Sequence, residues 1–343
     1  MQKPKKLQPG DKIATISLSW GGAGELPHRY EAGKRQLESV FGLEVTETRH
    51  ALKPADWIYN NPKARAEDLM EALQDSSIKA IISNIGGDDS IRLLKFIDID
   101  IIRQHPKIFI GFSDTTVSHF CFYKAGVTSF YGTSTLVGFA ENRGMHPYQI
   151  RDIQKTLFSA SPVGKIAANY DGWTSEMLDW SNPENQSVAR KLELHSGWRF
   201  LQGSGSVKGT LLGGCLEVLE TLKDTDLWVQ AQGWKGKIMF VEVSDFMLDP
   251  EYFGWIFRNY AASGILHHIS GLLLGRPYHN QHWEAYDAAL IKILKEEGLT
   301  DLPIITGMDF GHTCPTFTLP YGVMAEIDSE AKTFAIVESG VID

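Results

Sequence analysis

A chain of 343 residues, 43% hydrophobic and 22% charged, is long for one compact core and comfortable for two, with the composition of an ordinary globular protein. Its 33 Lys+Arg against 42 Asp+Glu leave a net charge of -9, which excludes the broad basic surface that a nucleic-acid polymer would require. Three widely spaced cysteines, Cys121, Cys215 and Cys314, suggest neither a disulfide framework nor a zinc knuckle and point to a reducing compartment.

In chain order, Lys3, Lys5 and Lys6 lead into Gln8-Pro9-Gly10-Asp11 rather than into an apolar run, so no signal peptide is read. Nor does any stretch approach the ~20 apolar residues of a membrane helix; a cytoplasmic protein without membrane contact is the expectation. Residues 12–18 (KIATISL) predict a buried strand and 27–41 a helix with its charges on one face. A second strand is expected over 43–48, an amphipathic helix over 64–74, a third strand over 80–85 and a short helix over 90–96. A fourth strand follows over 108–112 (IFIGF), then a helix over 115–124. Strand and helix taking turns predict an α/β fold with a parallel sheet covered on both faces. Ligands of such sheets bind at the carboxyl ends of the strands, which singles out Gly86-Gly87 and Ser113-Asp114.

From 160 to 205 the pattern dissolves into Pro, Gly, Asn, Ser and Trp, too long for an ordinary connection and read as a functional loop or an interdomain crossover. Beyond it, strands are expected at 210–212, 237–243 and 271–274, helices at 215–222, 250–262 and 283–296, and a closing hairpin at 321–328 with 333–338. The chain thus divides into residues 1–160 with a nucleophile elbow, a crossover and substrate loop at 161–205, and a C-terminal domain at 206–343.

The segment KIFIGFSDTT (107–116) places Gly-x-Ser between a strand and a helix, the form of a nucleophile elbow whose second glycine is replaced by Thr115. Ser113 is either a nucleophile or, with Asp114, a cap for the following helix. A serine nucleophile needs a base, and the base a third group that fixes its tautomer. His312, in PIITGMDFGHTCP, stands on a Gly-flanked turn after an apolar strand, as a general base or as a surface histidine of a loop. Glu242, in IMFVEVS, is a carboxylate inside an apolar strand, either the orienting acid or half of a structural salt bridge. NIGGDDS (84–90) offers glycine N–H groups for an oxyanion, with the N–H of Asp114 as second donor. A phosphate-binding turn is the competing reading of Gly86-Gly87, opposed by the charges of Asp88 and Asp89.

Six segments in register, LQPGDKIA, IGGDDS, IGFSDTT, LLGGCLEVL, MFVEVSD and MDFGHTCPTFTLPYG, together resemble the LD-carboxypeptidase family of serine peptidases, which includes a microcin C immunity branch. The resemblance covers nearly the whole chain. It implies a Rossmann-like N-terminal domain carrying the serine and a swivelling, β-rich C-terminal domain carrying the acid and the histidine, with the site in the cleft between them, often within a homodimer. By motif position it implies Ser113 as nucleophile, Glu242 as triad acid, His312 as base, and the backbone of Gly87 and Asp114 as oxyanion donors, with Gly86 as a further candidate; no metal or organic cofactor is needed. Cys215 stands where the family often has Asn, which puts a substrate-contacting side chain in doubt, and Gly132-Thr133 where Gly-Pro is common. Trp180, in EMLDW, is similar to the loop tryptophan with which the immunity branch stacks a nucleobase; the alternative is an apolar anchor for the loop. The substrate is expected to be a small peptide or a peptidyl- or aminoacyl-nucleotide, leaning to the latter, with D-Ala release from a murein tetrapeptide as the alternative.

Three rival readings remain at this stage. His279-x-x-His282 with His267-His268 offers a zinc site, Cys314 offers a nucleophile two residues from His312, and a two-domain α/β chain also suits a protein that merely sequesters a small ligand.

Overall fold

The computed structural model describes residues 1–343. Strands β1 (Lys12–Ile16), β2 (Glu44–Glu47), β3 (Ile78–Ser83), β4 (Ile108–Gly111) and β5 (Phe130–Tyr131) pair in parallel in the spatial order β5-β4-β3-β1-β2. Their side chains alternate between two cores. Ile13, Ala80, Ile82, Ile108 and Ile110 face one, while Ala14, Ile16, Ile81 and Phe109 face the other. With both faces covered, the central positions of β3 and β4 are apolar on either side, which is why these strands read as near-continuous hydrophobic runs.

The second half builds an eight-stranded sheet. Its members in chain order are β6 (Gly164–Ile166), β7 (Arg199–Gln202), β8 (Ser206–Cys215), β9 (Lys237–Glu242), β10 (Gly271–Gly275) and β11 (Ile304–Met308). The short β12 (Leu319–Pro320) then leaves this sheet and pairs antiparallel with β5, closing the edge of the first one. β13 (Met324–Asp328) and β14 (Thr333–Ile336) return as the expected hairpin. The order is β6-β14-β13-β8-β9-β10-β11-β7, parallel from β8 to β11 and antiparallel outside it. Residues 161–205 are therefore not wholly irregular: β6 and β7 are the two edges of this sheet. Both strands are only three or four residues long, too short for a periodic signal.

Four of the longer helices begin with proline, Pro27–Phe41, Pro62–Gln74, Pro147–Leu157 and Pro250–Ala262, at the first turn where an N–H has no helical acceptor to lose. The second of these starts two residues before the sequence-based expectation for that reason. The helix that positions the site is Thr116–Ala125, which follows Ser113 and is buried almost all round. Its Val117, Phe120, Cys121 and Phe122 share one apolar cluster with Leu211, Leu212, Met239 and Phe240 of the second sheet. The joint between the halves is thus continuous core rather than a wet seam. No helix is long and apolar enough to cross a membrane.

Candidate active site

β4 ends at Gly111, Phe112 is extended, and Ser113 turns the chain into the buried helix with φ 61. A left-handed serine costs on the order of 1–2 kcal/mol and persists only where neighbours hold it. Here Thr115 Oγ1 donates to the Phe112 carbonyl at 2.7 Å, Thr116 Oγ1 to the Ser113 carbonyl at 2.7 Å, and the Ser113 N–H to Tyr131 Oη at 3.0 Å. Thr115, the residue in place of the missing glycine, is thereby part of what makes the turn.

Glu242 ends β9, wholly buried, and is cross-strand partner to Cys215 at the end of β8. His312 comes four residues after β11 on a turn fixed by Asp309, whose carboxylate accepts from Trp198 Nε1 at 2.8 Å and from the Asn169 N–H at 3.0 Å. His195 and Arg276 bond the other oxygen. The turn is close against the acid: a Cβ at Gly311 (φ 99) would lie 2.8 Å from both Cβ and Oε2 of Glu242. Across the joint, His312 Nδ1 lies 2.7 Å from Glu242 Oε2 and His312 Nε2 lies 3.1 Å from Ser113 Oγ. The Phe112 ring meets the imidazole edge-on at 5.1 Å. Burial pulls the imidazole down, but Glu242, reinforced by Asp245 and Glu217, outweighs it and holds His312 above its ordinary value. With Nδ1–H donating to Glu242, Nε2 is left as acceptor for the serine proton.

The 86–90 loop folds over the serine. A Cβ at Gly86 would meet Ser113 Cβ at 2.8 Å, so this approach requires glycine. The Gly86 carbonyl accepts from the Trp20 N–H, whereas the N–H groups of Gly87 and Asp114 have no acceptor within the protein. The Asp114 side chain points the other way. Its Oδ2 accepts from Ser19 Oγ and, at 2.8 Å, from the Ser90 N–H, while its backbone carbonyl accepts from Ser90 Oγ at 2.7 Å. Burial raises this carboxyl despite those bonds. It is a staple between the loop and the elbow rather than an acid facing the cleft.

The cleft holds about 560 Å³ and is lined by Ser113, His312, Gly86, Gly87, Trp180, Cys215 and eighteen other residues. Trp180 is partly anchored and partly open to the cleft. It packs beside Ala23, Tyr30 and Leu136, and it lines the cleft. The Arg29 guanidinium lies 4.1 Å from its ring centroid, itself held by the Leu136 carbonyl at 2.7 Å and Asn142 Oδ1 at 3.0 Å. Cys215 is buried, its thiol pushed well up by burial and then by Glu242 and Glu217, and Sγ donates to Glu217 Oε2 at 3.3 Å. Four carboxylate side chains line the cleft, Asp88, Glu176, Glu217 and Asp245, against one guanidinium, Arg190. That guanidinium is already paired with the buried Glu141, which burial would raise but His146 and Arg190 hold down at about 2.

The zinc reading is overturned. His267 bonds Glu297, His268 bonds Gln232, His279 bonds Ser175 and His282 bonds Gln281, and no three His, Cys, Asp or Glu side chains gather as a metal site. Cys314 lines the cleft, but burial raises its thiol and both nitrogens of His312 are already taken up by Ser113 and Glu242. Sequence reasoning missed Tyr131, which bonds both Ser113 and Glu242, and the cleft carboxylates Glu217 and Asp245. Glu217 lay inside a motif already singled out, LLGGCLEVL; Tyr131 lies on a two-residue strand and gave no signal of its own.

Residues 13–132 match the LD-carboxypeptidase N-terminal domain and residues 208–327 the LD-carboxypeptidase C-terminal domain. The chain is similar to the microcin C7 self-immunity protein MccF of Escherichia coli, 32% identical over 97% of this chain and 94% of that one. It is also similar to a Bacillus subtilis protein named "Probable murein peptide carboxypeptidase", 26% identical over 99% of this chain and 95% of that one. Among solved structures, an MccF-like protein from Streptococcus pneumoniae in complex with AMP superposes with a TM-score of 0.87 at 32% identity, covering 95% of this chain and 98% of that one.

Proposed function

The chain belongs to the LD-carboxypeptidase family, enzymes of the serine carboxypeptidase type, and from that premise we propose that it cleaves an amide bond of an aminoacyl- or peptidyl-nucleotide through Ser113, His312 and Glu242. The observation that carries the triad is the unbroken chain from Ser113 Oγ through His312, 3.1 Å on one side and 2.7 Å on the other, to a fully buried carboxylate.

The reaction follows from those contacts. His312 Nε2 takes the Ser113 proton as Oγ attacks the scissile carbonyl, and Glu242 stabilises the imidazolium and its orientation. The free N–H groups of Gly87 and Asp114, with Gly86 beside them, receive the oxyanion. His312 returns its proton to the departing amine, leaving an ester on Ser113. Water, deprotonated by His312, then releases the acyl group and restores the serine.

The nucleotide rests on Trp180, a ring held on Arg29 and open to the cleft, suited to stacking on a planar base. The AMP complex of the streptococcal relative supports the same reading. One observation favours the second reading, D-Ala release from a murein tetrapeptide: the carboxylate-rich lining suits the ammonium of a diamino acid better than a phosphate. The test is hydrolysis of an aspartyl sulfamoyl-adenosine and of a murein tetrapeptide side by side, by wild type and by Ser113→Ala. Cleavage of the conjugate alone, lost in the variant, supports the proposal. Release of D-Ala moves the enzyme to cell-wall recycling, and turnover that survives Ser113→Ala removes the triad. A homodimer belongs to the same proposal, and a monomeric mass by light scattering removes it.

A further inference from the structure

Tyr131 is wholly buried, on a strand of two residues wedged between the two chain segments that lead to and from the site. In register it faces Gly111 of β4, two residues before Ser113, and Leu319 of β12, seven residues after His312. Its hydroxyl reaches further. Oη accepts the Ser113 N–H at 3.0 Å and donates to Glu242 Oε1 at 2.5 Å, the oxygen that His312 leaves free. Phe240, His119 and Tyr321 pack around the ring at centroid distances of 5.5, 5.6 and 6.5 Å, and the close-packed surroundings hold the phenol in place.

We infer that Tyr131 is a positioning residue that couples the serine-bearing half of the molecule to the acid-bearing half through one hydroxyl, and that it sets the pH at which His312 becomes a working base. The inference rests on the triad reading above and adds to it a residue that touches no substrate. Three consequences follow from the bonds. The Ser113 N–H is occupied, so the oxyanion is left to Gly87 and Asp114. Both oxygens of Glu242 are filled, which locks the carboxylate in the plane His312 needs. Donation into Glu242 also draws off part of its charge, limiting how far it favours the imidazolium. Burial, then the charge of Glu242, push the phenol well above its ordinary value, so it remains a donor throughout the working range.

The experiment uses the full-length protein and a fluorophosphonate probe, so it needs no knowledge of the substrate. Ser113 Oγ bonds phosphorus, fluoride leaves and His312 takes the serine proton; mass spectrometry follows the labelling rate from pH 5 to 10, with Ser113→Ala as the blank. Tyr131→Phe is expected to label ~10- to 100-fold more slowly at its plateau, and the acid limb of its profile is expected to move to higher pH because Glu242 then faces the imidazole with its full charge. Tyr131→3-fluorotyrosine retains ring and hydroxyl, and so the fold, but donates more strongly; its limb is expected to move to lower pH. Opposite displacements in the two variants establish the role, and the fluorotyrosine displacement alone does so where the Phe variant fails to fold. A wild-type rate and limb in either folded variant overturns the inference while leaving the triad intact. Failure of the wild type to label at Ser113 removes the triad, and the inference with it.

Discussion

Replacing Glu242 by Gln alters one atom of a side chain that is wholly buried, so the fold has little reason to change. The site does. Tyr131 donates to Oε1, which fixes the amide oxygen there and turns the NH2 toward His312. The imidazole must then accept at Nδ1 and carry its proton on Nε2, pointing at Ser113 Oγ from 3.1 Å, where it cannot take up the serine proton. Loss of the working tautomer and of the charge opposite the imidazolium is expected to lower kcat by about 10³- to 10⁴-fold, equivalent to ~4–5.5 kcal/mol. The pH dependence carries an independent sign. In the wild type the acid limb of kcat/KM is expected to follow His312, which Glu242 holds above its ordinary value and which acts as a base only when neutral. In the variant burial acts with its main opponent gone, so the limb moves to lower pH. Stability follows by linkage. A histidine raised in the folded state stabilises fully below its unfolded value near ~6.5 and loses that contribution as pH rises through the folded one. The thermal midpoints of wild type and variant should therefore lie furthest apart in acid and converge in alkali. The assay is a pH–rate profile with a matching series of melts. Activity within tenfold of wild type, or an acid limb that does not move, would refute the triad.

Other substitutions probe the surroundings. Gly311→Ala puts a Cβ 2.8 Å from Glu242 at a backbone φ of 99, and is expected to cost ~2–4 kcal/mol in urea unfolding with at least ~10-fold in kcat; unchanged values would mean the turn yields freely. Trp180→Ala should raise KM for the nucleotide conjugate ~5- to 100-fold and leave KM for a peptide unchanged; equal effects on both would reduce the ring to a loop anchor. Cys314→Ser should retain turnover, because the thiol is buried, raised and without a base; loss of activity would bring back the cysteine nucleophile.

What was legible in the sequence is what local chemistry forces. A strand, a polar turn and an apolar helix can be read from IFIGFSDTT because both sides of the turn are buried, and a lone carboxylate in IMFVEVS stands out against its neighbours. What was not legible is set by partners remote in the chain. Tyr131 owes its place to Gly111, 20 positions earlier, and to Leu319, 188 positions later, and two residues carry no periodicity. The Arg29–Trp180 stack unites a helix of the first half with the loop after it, and neither residue predicts the other. The edge strands β6 and β7 were read as loop for the same reason: their pairing partners lie more than 100 residues downstream.

The path of β12 bears on how such an enzyme comes into being. Residues 130–131 wait for 319–320 before the first sheet has its last edge, and contacts of that sequence separation form slowly. During synthesis the chain presents Ser113 some two hundred residues before it presents His312. Helix Thr116–Ala125, meanwhile, has no second sheet to lie against until β8 and β9 exist. The segment that brings His312 also seals the sheet that holds Ser113, so the two side chains meet only after residues 312–320 have been made. A ribosome-bound fragment ending before β11 should be inert toward a serine-directed probe.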